Sequence, residues 1–166
     1  DLPDRSSEGS GIPLSVDMIG KNLTEQIAEV KEKKGEWPAR EIKEVLIVSD
    51  RSNRYGLFRL LIKLIPEIFE SKGGEEPEIF FAMNSERALE FLKNQDFDLV
   101  ITEQNEIGAI KGSELIRRMR SDPALKSSKD PDLTVVTMSG DLTTVKITQS
   151  EFEKLGRVLF LQKPFS

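Results

Sequence analysis

The sequence of 166 residues contains no cysteine and no histidine. Without cysteine the chain can form no disulfide bond, no thiolate metal ligand and no thiol nucleophile. Without histidine, serine–histidine catalysis, cysteine–histidine catalysis and histidine-ligated zinc sites are all excluded. Polar chemistry in this chain must therefore rest on carboxylates, hydroxyls, amides and the side chains of lysine and arginine.

The chain also has no excess of positive charge and no long apolar run. Its 29 acidic residues outnumber its 24 lysines and arginines, for a net charge of −5, whereas a nucleic-acid-binding domain normally carries a basic stripe. A locally basic segment, Arg117–Arg120, is interpreted as a solvated helix face. No apolar run approaches the roughly 18 residues needed to cross a bilayer, and residues 1–11 lack a signal-peptide pattern. We expect a soluble, cytoplasmic protein that contacts neither a membrane nor, through this domain, nucleic acid.

From residue 44 onwards, short apolar runs alternate with stretches in which apolar residues recur at three- and four-residue spacing. The runs are typical of strands and the spaced stretches of helices. Pro66 predicts a kink or an early end in the helix that contains it. The predicted strands are 45–49, 78–82, 99–102, 134–138 and 158–162. The predicted helices are 53–70, 85–94, 112–120 and one within 149–155, with a polar loop at 122–132.

This order of elements predicts an α/β fold with a five-stranded, doubly wound parallel sheet. Four of the apolar runs end on a polar residue: Asp50 after strand one, Glu103 after strand three, Ser139 after strand four and Lys163 after strand five. The carboxyl ends of parallel strands meet at one edge of the sheet, where ligands of such folds bind. The four residues are therefore predicted to form one small polar site.

The first 36 residues are predicted to form a region of their own, before a domain at 37–166. Residues 1–13 are rich in Ser, Gly, Pro and Asp and predict a flexible lead-in. Residues 14–34 predict a helix with an apolar stripe, whereas no helix is predicted after strand five. The extra helix either covers the sheet face left open by that missing helix or joins two copies of the chain, since Val16, Leu23 and Val30 follow a seven-residue spacing. Both alternatives remain open.

Five motifs, in order, resemble the receiver domain of two-component response regulators. They lie at Val48–Arg51, Asp98–Glu103, Gly112–Arg120, Thr137–Asp141 and Lys163–Phe165. The resemblance covers about residues 44–165 and implies a flavodoxin-like receiver fold. It also implies a function: a receiver accepts a phosphoryl group from a phosphohistidine onto an aspartate at the end of strand three, beside a magnesium ion. In a chain without histidine, that donor must belong to another protein or domain.

The resemblance assigns a role to each polar strand end. Glu103 falls on the phosphoacceptor position and Asp50 on one of the two metal-binding acids, with Ser49 in place of the other acid. The remaining equivalents are the backbone carbonyl of Asn105 as a metal contact, Ser139 as the switch hydroxyl, Lys163 as the phosphoryl-binding lysine and Phe160 as the switch aromatic.

Two of these positions depart from the family pattern. Glu103 is one methylene longer than aspartate, which moves its carboxylate roughly 1.3–1.5 Å further from the backbone. Ser49 removes one charge from the metal site, so Mg²⁺ at Asp50 and Glu103 is expected to bind weakly if at all. We expect no catalytic residue and no cofactor, and hence an atypical receiver (a pseudo-receiver) rather than an enzyme. It would act on a protein partner such as a histidine kinase, an output domain or an adaptor.

Other interpretations of the same residues remain open. The chain could be a working phosphorelay receiver of a response regulator or hybrid histidine kinase that accepts the phosphoryl group elsewhere or only poorly. Asp98 is an unattractive substitute acceptor because it precedes strand three. It could also be a small flavodoxin-like nucleotide or flavin binder, although residues 50–56 offer little of the phosphate loop that such a protein needs. Glu103 and Lys163 could form a purely structural ion pair, and Asp50 could simply cap the helix that follows it.

Overall fold

The computed structural model describes residues 40–49, 77–103, 112–139 and 155–162, together with Glu25, Ala28, Lys31, Glu32 and Gly35. The described elements are five strands, two α-helices and a 3₁₀ turn. The strands are β1 Glu44–Val48, β2 Glu78–Ala82, β3 Leu99–Glu103, β4 Thr134–Ser139 and β5 Arg157–Gln162. The helices are α1 Ser85–Asn94 and α2 Gly112–Ser121, and the 3₁₀ turn is Lys126–Lys129.

The five strands form one parallel sheet in the order β2-β1-β3-β4-β5. This is the strand order of flavodoxin-like folds, in which the direction of winding reverses between β1 and β3. The predicted α/β class and five-stranded parallel sheet are therefore confirmed. β2 and α1 begin and end at the predicted residues, and the other strand boundaries differ from the prediction by one residue.

One face of the sheet, which we call the first face, packs against α1 and α2. Side chains alternate between faces along a strand, and Leu46, Val48, Val100, Val135 and Val158 all belong to the hydrophobic cluster that includes both helices. The helices contribute the buried side chains of Ala88, Leu92, Leu115, Ile116 and Met119. Phe80, Phe91 and Phe97 extend this cluster towards β2 through edge-to-face ring contacts.

The other face of the sheet, the second face, is buried just as completely. Its side chains are those that alternate with the first set, and their exposed fractions are 0 or 1%. Burial on both faces explains why the strands are almost continuously apolar, as the sequence predicts for a doubly wound sheet. The second-face residues of the three central strands and β5 are Val45, Ile47, Leu99, Ile101, Val136 and Leu159.

The segment between α2 and β4 contains no α-helix or strand, as predicted for the loop at 122–132, but it is more regular and less exposed than a purely polar loop. The segment contains the 3₁₀ turn, the side chain of Leu125 is buried, and Ser127 Oγ donates a 2.8 Å hydrogen bond to the carbonyl of Met119. Periodicity over so few residues gives no helical signal, so the sequence alone did not indicate this turn.

The basic segment of α2 is also not uniformly solvated. Arg118 is exposed, but the predicted solvated face is wrong for Met119, which is buried, and for Arg120, which is largely buried. Because Arg120 is near the end of the helix, its long side chain reaches back over the chain that enters β4.

Several predictions lie outside the described residues. These are the lead-in at 1–13, the helices at 53–70 and 149–155, the boundary between regions at 36 and 37, and the absence of a helix after β5. Of the predicted helix at 14–34, Glu25, Ala28, Lys31 and Glu32 are helical. In the part of the chain that the structure describes, no helix is both long and apolar enough to span a bilayer.

Candidate functional site at the carboxyl edge of the sheet

The parallel register brings the ends of β1, β3 and β4 to one edge of the sheet. Val48 pairs with Thr102, and Thr102 pairs with Thr137 on its other side. The next residues, Ser49 and Glu103, therefore follow the same β1–β3 pair at the carboxyl edge. This is the point at which the winding reverses, where parallel α/β folds bind their ligands.

Ser49 is fixed at the end of β1 by its backbone. Its N–H donates a 2.9 Å hydrogen bond to the carbonyl of Ala82, which extends the β1–β2 ladder by one residue. The side chain alternates with the first-face residue Val48 and thus lies towards the second face. Only 1% of Ser49 is exposed, so the position that the resemblance assigns to a metal-binding acid holds a small hydroxyl in a closed environment.

Glu103 and Ser139 are the last residues of β3 and β4. Glu103 pairs with Met138, the residue before Ser139. Ser139 in turn pairs with Gln162, the residue before Lys163 in the sequence. The backbone positions of Ser49, Glu103 and Ser139 are thus brought together at the carboxyl edge.

The other predicted site residues are placed less completely. Phe160 lies inside β5 and pairs with Thr137, whereas Ser139 pairs with Gln162. The backbone of Phe160 is therefore two residues away from the carboxyl edge at Ser139. Asp50, Asn105 and Lys163 lie outside the described residues.

Two threonines that the sequence analysis did not single out lie just below this edge. Thr102 and Thr137 are paired across β3 and β4, and both are buried. They alternate in the same phase as Val100 and Val135, which places them on the first face. Their positions follow from the strand pattern, but the sequence alone carries no signal that distinguishes them from ordinary strand threonines.

The described part of the carboxyl edge does not by itself fit a magnesium site. Mg²⁺ prefers carboxylate and water oxygens in octahedral geometry, and Ser49 supplies a buried hydroxyl where the family pattern has an acid. Among the described residues there is no group of three or more acidic side chains that could hold a metal ion. The magnesium ligands that the resemblance implies are Asp50 and Glu103, and Asp50 lies outside the described residues.

The opposite, amino edge of the sheet carries an ion-pair network, which we call the amino-edge network: Arg40, Asp98, Asp130 and Arg120. Arg40 Nε donates to Asp98 Oδ1 at 2.7 Å. Its Nη1 and Nη2 donate to the two oxygens of Asp130 at 2.9 and 2.6 Å. This forked contact raises the pKa of the Arg40 guanidinium above its usual value and, above all through the same hydrogen bonds, lowers the pKa of Asp130 below its usual value.

Asp98 holds the start of β1 as well as Arg40. Its Oδ2 accepts hydrogen bonds from the backbone N–H groups of Lys43 and Glu44, at 2.8 and 3.0 Å. The carboxylate is therefore committed to backbone and guanidinium donors at the amino edge, at the end of the sheet opposite Glu103. This agrees with the prediction that Asp98 does not replace Glu103 in the candidate site.

Arg120 completes the network from α2. Its Nη1 and Nη2 donate to the carbonyls of Asp130 and Leu133, at 3.1 and 2.6 Å. Its Nε is buried and has no hydrogen-bond partner in the part of the chain that the structure describes. Burial, with a smaller contribution from the nearby charge of Arg157, lowers the pKa of Arg120 to about 10.

Comparison with solved structures places this fold among receiver domains. The chain is similar to the chemotaxis response regulator CheY4 of Vibrio cholerae, with 21% identity over 75% of this chain and 89% of that one and a TM-score of 0.52. A CheY-like receiver domain from Methylobacillus flagellatus gives 19% identity, the same two coverages and a TM-score of 0.51. No family model and no curated protein matches the sequence.

A third similar structure is the receiver domain of a sensor histidine kinase from Pseudomonas aeruginosa, which holds a magnesium ion in its active-site cleft. It shares 13% identity over 75% of this chain and 87% of that one, with a TM-score of 0.50. At such identities the likeness establishes the fold: this chain has the CheY-like receiver fold that its motifs predict.

Proposed function

We propose that this chain is a receiver-like signalling module that acts by binding another protein and is not phosphorylated on an aspartate at the end of β3. The observation that carries the proposal is the position of Glu103. It is the last residue of β3, at the edge where the winding of the sheet reverses. In the motif that the sequence resembles, this position holds the phosphoacceptor aspartate.

The length of the side chain at this position disfavours phosphoryl transfer. Acceptance of a phosphoryl group requires a carboxylate oxygen in line with the bond between phosphorus and the leaving group. An extra methylene at Glu103 displaces that oxygen by more than an ångström, and a misplacement of about 1 Å can cost on the order of 100-fold in rate.

The residue that follows β1, the strand next to β3, disfavours phosphoryl transfer as well. Ser49 is held in the β1–β2 ladder and is almost completely buried. It provides no carboxylate to bind the magnesium ion that would neutralise the charge on the phosphoryl oxygens. A receiver fold with both changes is better suited to present a fixed surface to a partner than to switch on phosphorylation.

The partner is proposed from the same resemblance. The similar solved domains are a chemotaxis response regulator and the receiver of a sensor histidine kinase. We propose a protein of the corresponding kinds for this chain: a histidine kinase, an output domain or an adaptor. The proposed contact surface includes β5 around Phe160, which pairs directly with β4.

The direct test is phosphorylation by acetyl phosphate with magnesium, read by intact-protein mass spectrometry. In this reaction a carboxylate oxygen bonds to phosphorus and acetate leaves. We expect no phosphorylated wild-type protein, and we expect phosphorylation to appear when both positions are restored in the double variant Ser49→Asp/Glu103→Asp. The matched control is Ser49→Asp/Glu103→Gln, which has the restored metal ligand but no acceptor.

Two results would contradict this proposal. Stable phosphorylation of the wild-type chain at Glu103, or at Asp50, would identify a working phosphorelay receiver. Flavin absorbance in the purified protein would instead point to the flavodoxin-like binder. If the double variant also stays unmodified, the obstacle lies elsewhere in the site, and the argument from Ser49 and Glu103 is wrong.

A further inference from the structure

Gly35 and Arg40, two described residues that precede β1, lie beside successive strands at the amino edge of the sheet. A Cβ added to Gly35 would lie 3.3 Å from Nη2 of Arg157, the first residue of β5. Further along, Arg40 contacts Asp130, which precedes β4, and Asp98, which precedes β3. These contacts follow the spatial order β5, β4, β3, so the chain reaches β1 after crossing the edge from the side of β5.

Gly35 marks the end of a helix at this point. Its N–H donates to the carbonyl of Lys31 at 3.3 Å, and its φ of +96° is the left-handed conformation that commonly ends helices. Lys31 and Glu32 are helical. The helix that precedes β1 therefore ends beside the start of β5.

The contact with Arg157 also tells which face of the sheet the helix end approaches. Val158 belongs to the first-face cluster with α1 and α2, so Arg157 before it and Leu159 after it alternate to the second face. This alternation favours a helix that ends on the side of the sheet opposite the two described α-helices.

Apolar residues on the second face near β5 are buried, so another segment must pack on them. The helix that ends at Gly35 has an exposed side and could supply that segment with its other side. Val136 and Leu159 lie on neighbouring strands of this face, and each is only 1% exposed. Apolar side chains become this inaccessible only when other apolar groups pack on them. Within the helix, the described positions Glu25, Ala28, Lys31 and Glu32 are exposed and share one side. The sequence predicts the apolar stripe, with Ile27 and Val30, on the other side.

We propose that the helix ending at Gly35 packs on the second face over β4 and β5 of its own chain. The apolar stripe of the helix then covers Val136 and Leu159. This assignment selects one of the two alternatives left open by the sequence, and it does not depend on the proposed function.

The first test compares Ile27→Lys with Ala28→Lys in the full chain. Both substitutions introduce the same side chain, which has a good helix propensity, but only the first places a charge on the predicted stripe. We expect Ile27→Lys to lower the Tm by about 5 °C or more and Ala28→Lys to change it by less than about 2 °C. The Tm shift should not depend on protein concentration, and light scattering should give the same mass for both variants. Equal Tm shifts, or a fall in mass with Ile27→Lys alone, would overturn the proposal.

The second test does not depend on whether Ile27→Lys folds. Because the chain has no cysteine, pairs of cysteines can be introduced at exposed positions and treated with a flexible bismaleimide. The test pair is Lys31→Cys/Asp132→Cys. Lys31 lies near the end of the helix, and the carboxylate of Asp132 lies 4.0 Å from Arg157 Nε, next to the proposed position of that helix end. Lys31→Cys/Glu86→Cys is the control, because Glu86 lies in the first turn of α1 on the first face.

The expected result is a cross-link within single chains for the first pair and little for the control pair. A cross-link between chains for the first pair identifies a helix that joins two copies and overturns the proposal. Equal cross-linking of both pairs identifies a helix with no fixed position and overturns it as well.

Discussion

The two edges of the sheet differ in how their polar residues are held. At the carboxyl edge, Ser49, Glu103 and Ser139 each follow from a local pattern, an apolar run that ends on a polar residue. At the amino edge, Arg40 joins Asp98 and Asp130, which lie 58 and 90 positions away in the sequence. The first edge gives the fold its resemblance to receivers, whereas the second ties strands and connector together. The residues that carry the resemblance thus lie at one end of the strands, and the residues of the amino-edge network lie at the other end.

The edges also differ in charge balance. The described carboxylates of the amino-edge network face arginines, and each of their bonds is short enough to be strong. At the carboxyl edge, Ser49 has an uncharged hydroxyl at the position where the resemblance to receivers implies a metal-binding acid. A substitution at the amino edge should therefore remove ion pairs that are already formed. An added carboxylate at the carboxyl edge should instead require a cation to balance its charge.

The largest effect is expected from Ser49→Asp. A carboxylate at a position that is only 1% exposed should cost about 2–4 kcal/mol of unfolding free energy in the presence of EDTA. Millimolar magnesium should recover part of the loss if the carboxyl edge can bind the ion with a second acid. Urea denaturation with and without magnesium measures both quantities.

Ser49→Asn is the control for this experiment because it adds similar bulk without charge. Its stability should be the same with magnesium and with EDTA. If Ser49→Asp is as stable as the wild type without metal, the position is not the closed environment described above.

A somewhat smaller loss is expected from Arg40→Ala at the amino edge. The substitution removes three hydrogen bonds to carboxylates and a fourth to the carbonyl of Phe97, and it leaves Asp98 and Asp130 partly buried. Because the Arg40 side chain is 35% exposed, solvent screens part of this interaction. We expect a loss of about 2 kcal/mol, which corresponds to a fall in Tm of roughly 4–8 °C.

Arg87→Ala provides the comparison for Arg40→Ala. Arg87 is also paired with a carboxylate, that of Glu90, but both side chains are more than half exposed. Its guanidinium also lies over the ring of Phe91, 5.3 Å from the ring centre, so its loss should cost up to about 1 kcal/mol in all. Equal losses in the two variants would contradict the distinction between the amino-edge network and an ordinary surface ion pair.

The smallest effect is expected in the dependence of stability on pH. The pKa of Asp130 is lowered by Arg40 in the folded protein, so its contribution to stability is fully present above the usual carboxyl pKa of 3.8. It is lost as the pH falls through the lower folded value, because protonation then breaks the pair. Asp130→Asn should be less stable than the wild type near neutral pH and lose less stability below about pH 4. Parallel curves for the two proteins would exclude this coupling.

The sequence was sufficient to predict β2 and α1 residue by residue, and the physical reason is local. The run from Glu78 to Ala82 is followed by Asn84, whose Oδ1 accepts a hydrogen bond from the N–H of Arg87 at 2.8 Å and caps the helix. Such signals act over a few residues, so they can be found without knowledge of the fold. The polar ends of β3 and β4 were found in the same way.

What the sequence did not indicate depends on contacts between distant segments. Nothing near Arg40 in the sequence marks Asp130 as its partner, and nothing distinguishes Arg120 from the exposed Arg118 two positions earlier. The difference arises because Arg120 lies where α2 ends over the start of β4, within reach of the carbonyls of Asp130 and Leu133. The burial of Leu125 and Ser127 has the same origin.

The long span of the bonds made by Arg40 sets an order on folding during synthesis. Arg40 emerges from the ribosome well before Asp130, so its bonds to Asp130 can form only after β2, α1, β3 and α2 have been made. Contacts that join distant segments form late, because closing a long loop costs entropy before the contact repays it. The approach of Gly35 to Arg157 spans an even longer stretch of chain. A chain that stops before β5 therefore lacks Arg157, the residue beside Gly35 at the end of the first helix. It also leaves β4 as an unpaired edge strand, which can pair with other nascent chains.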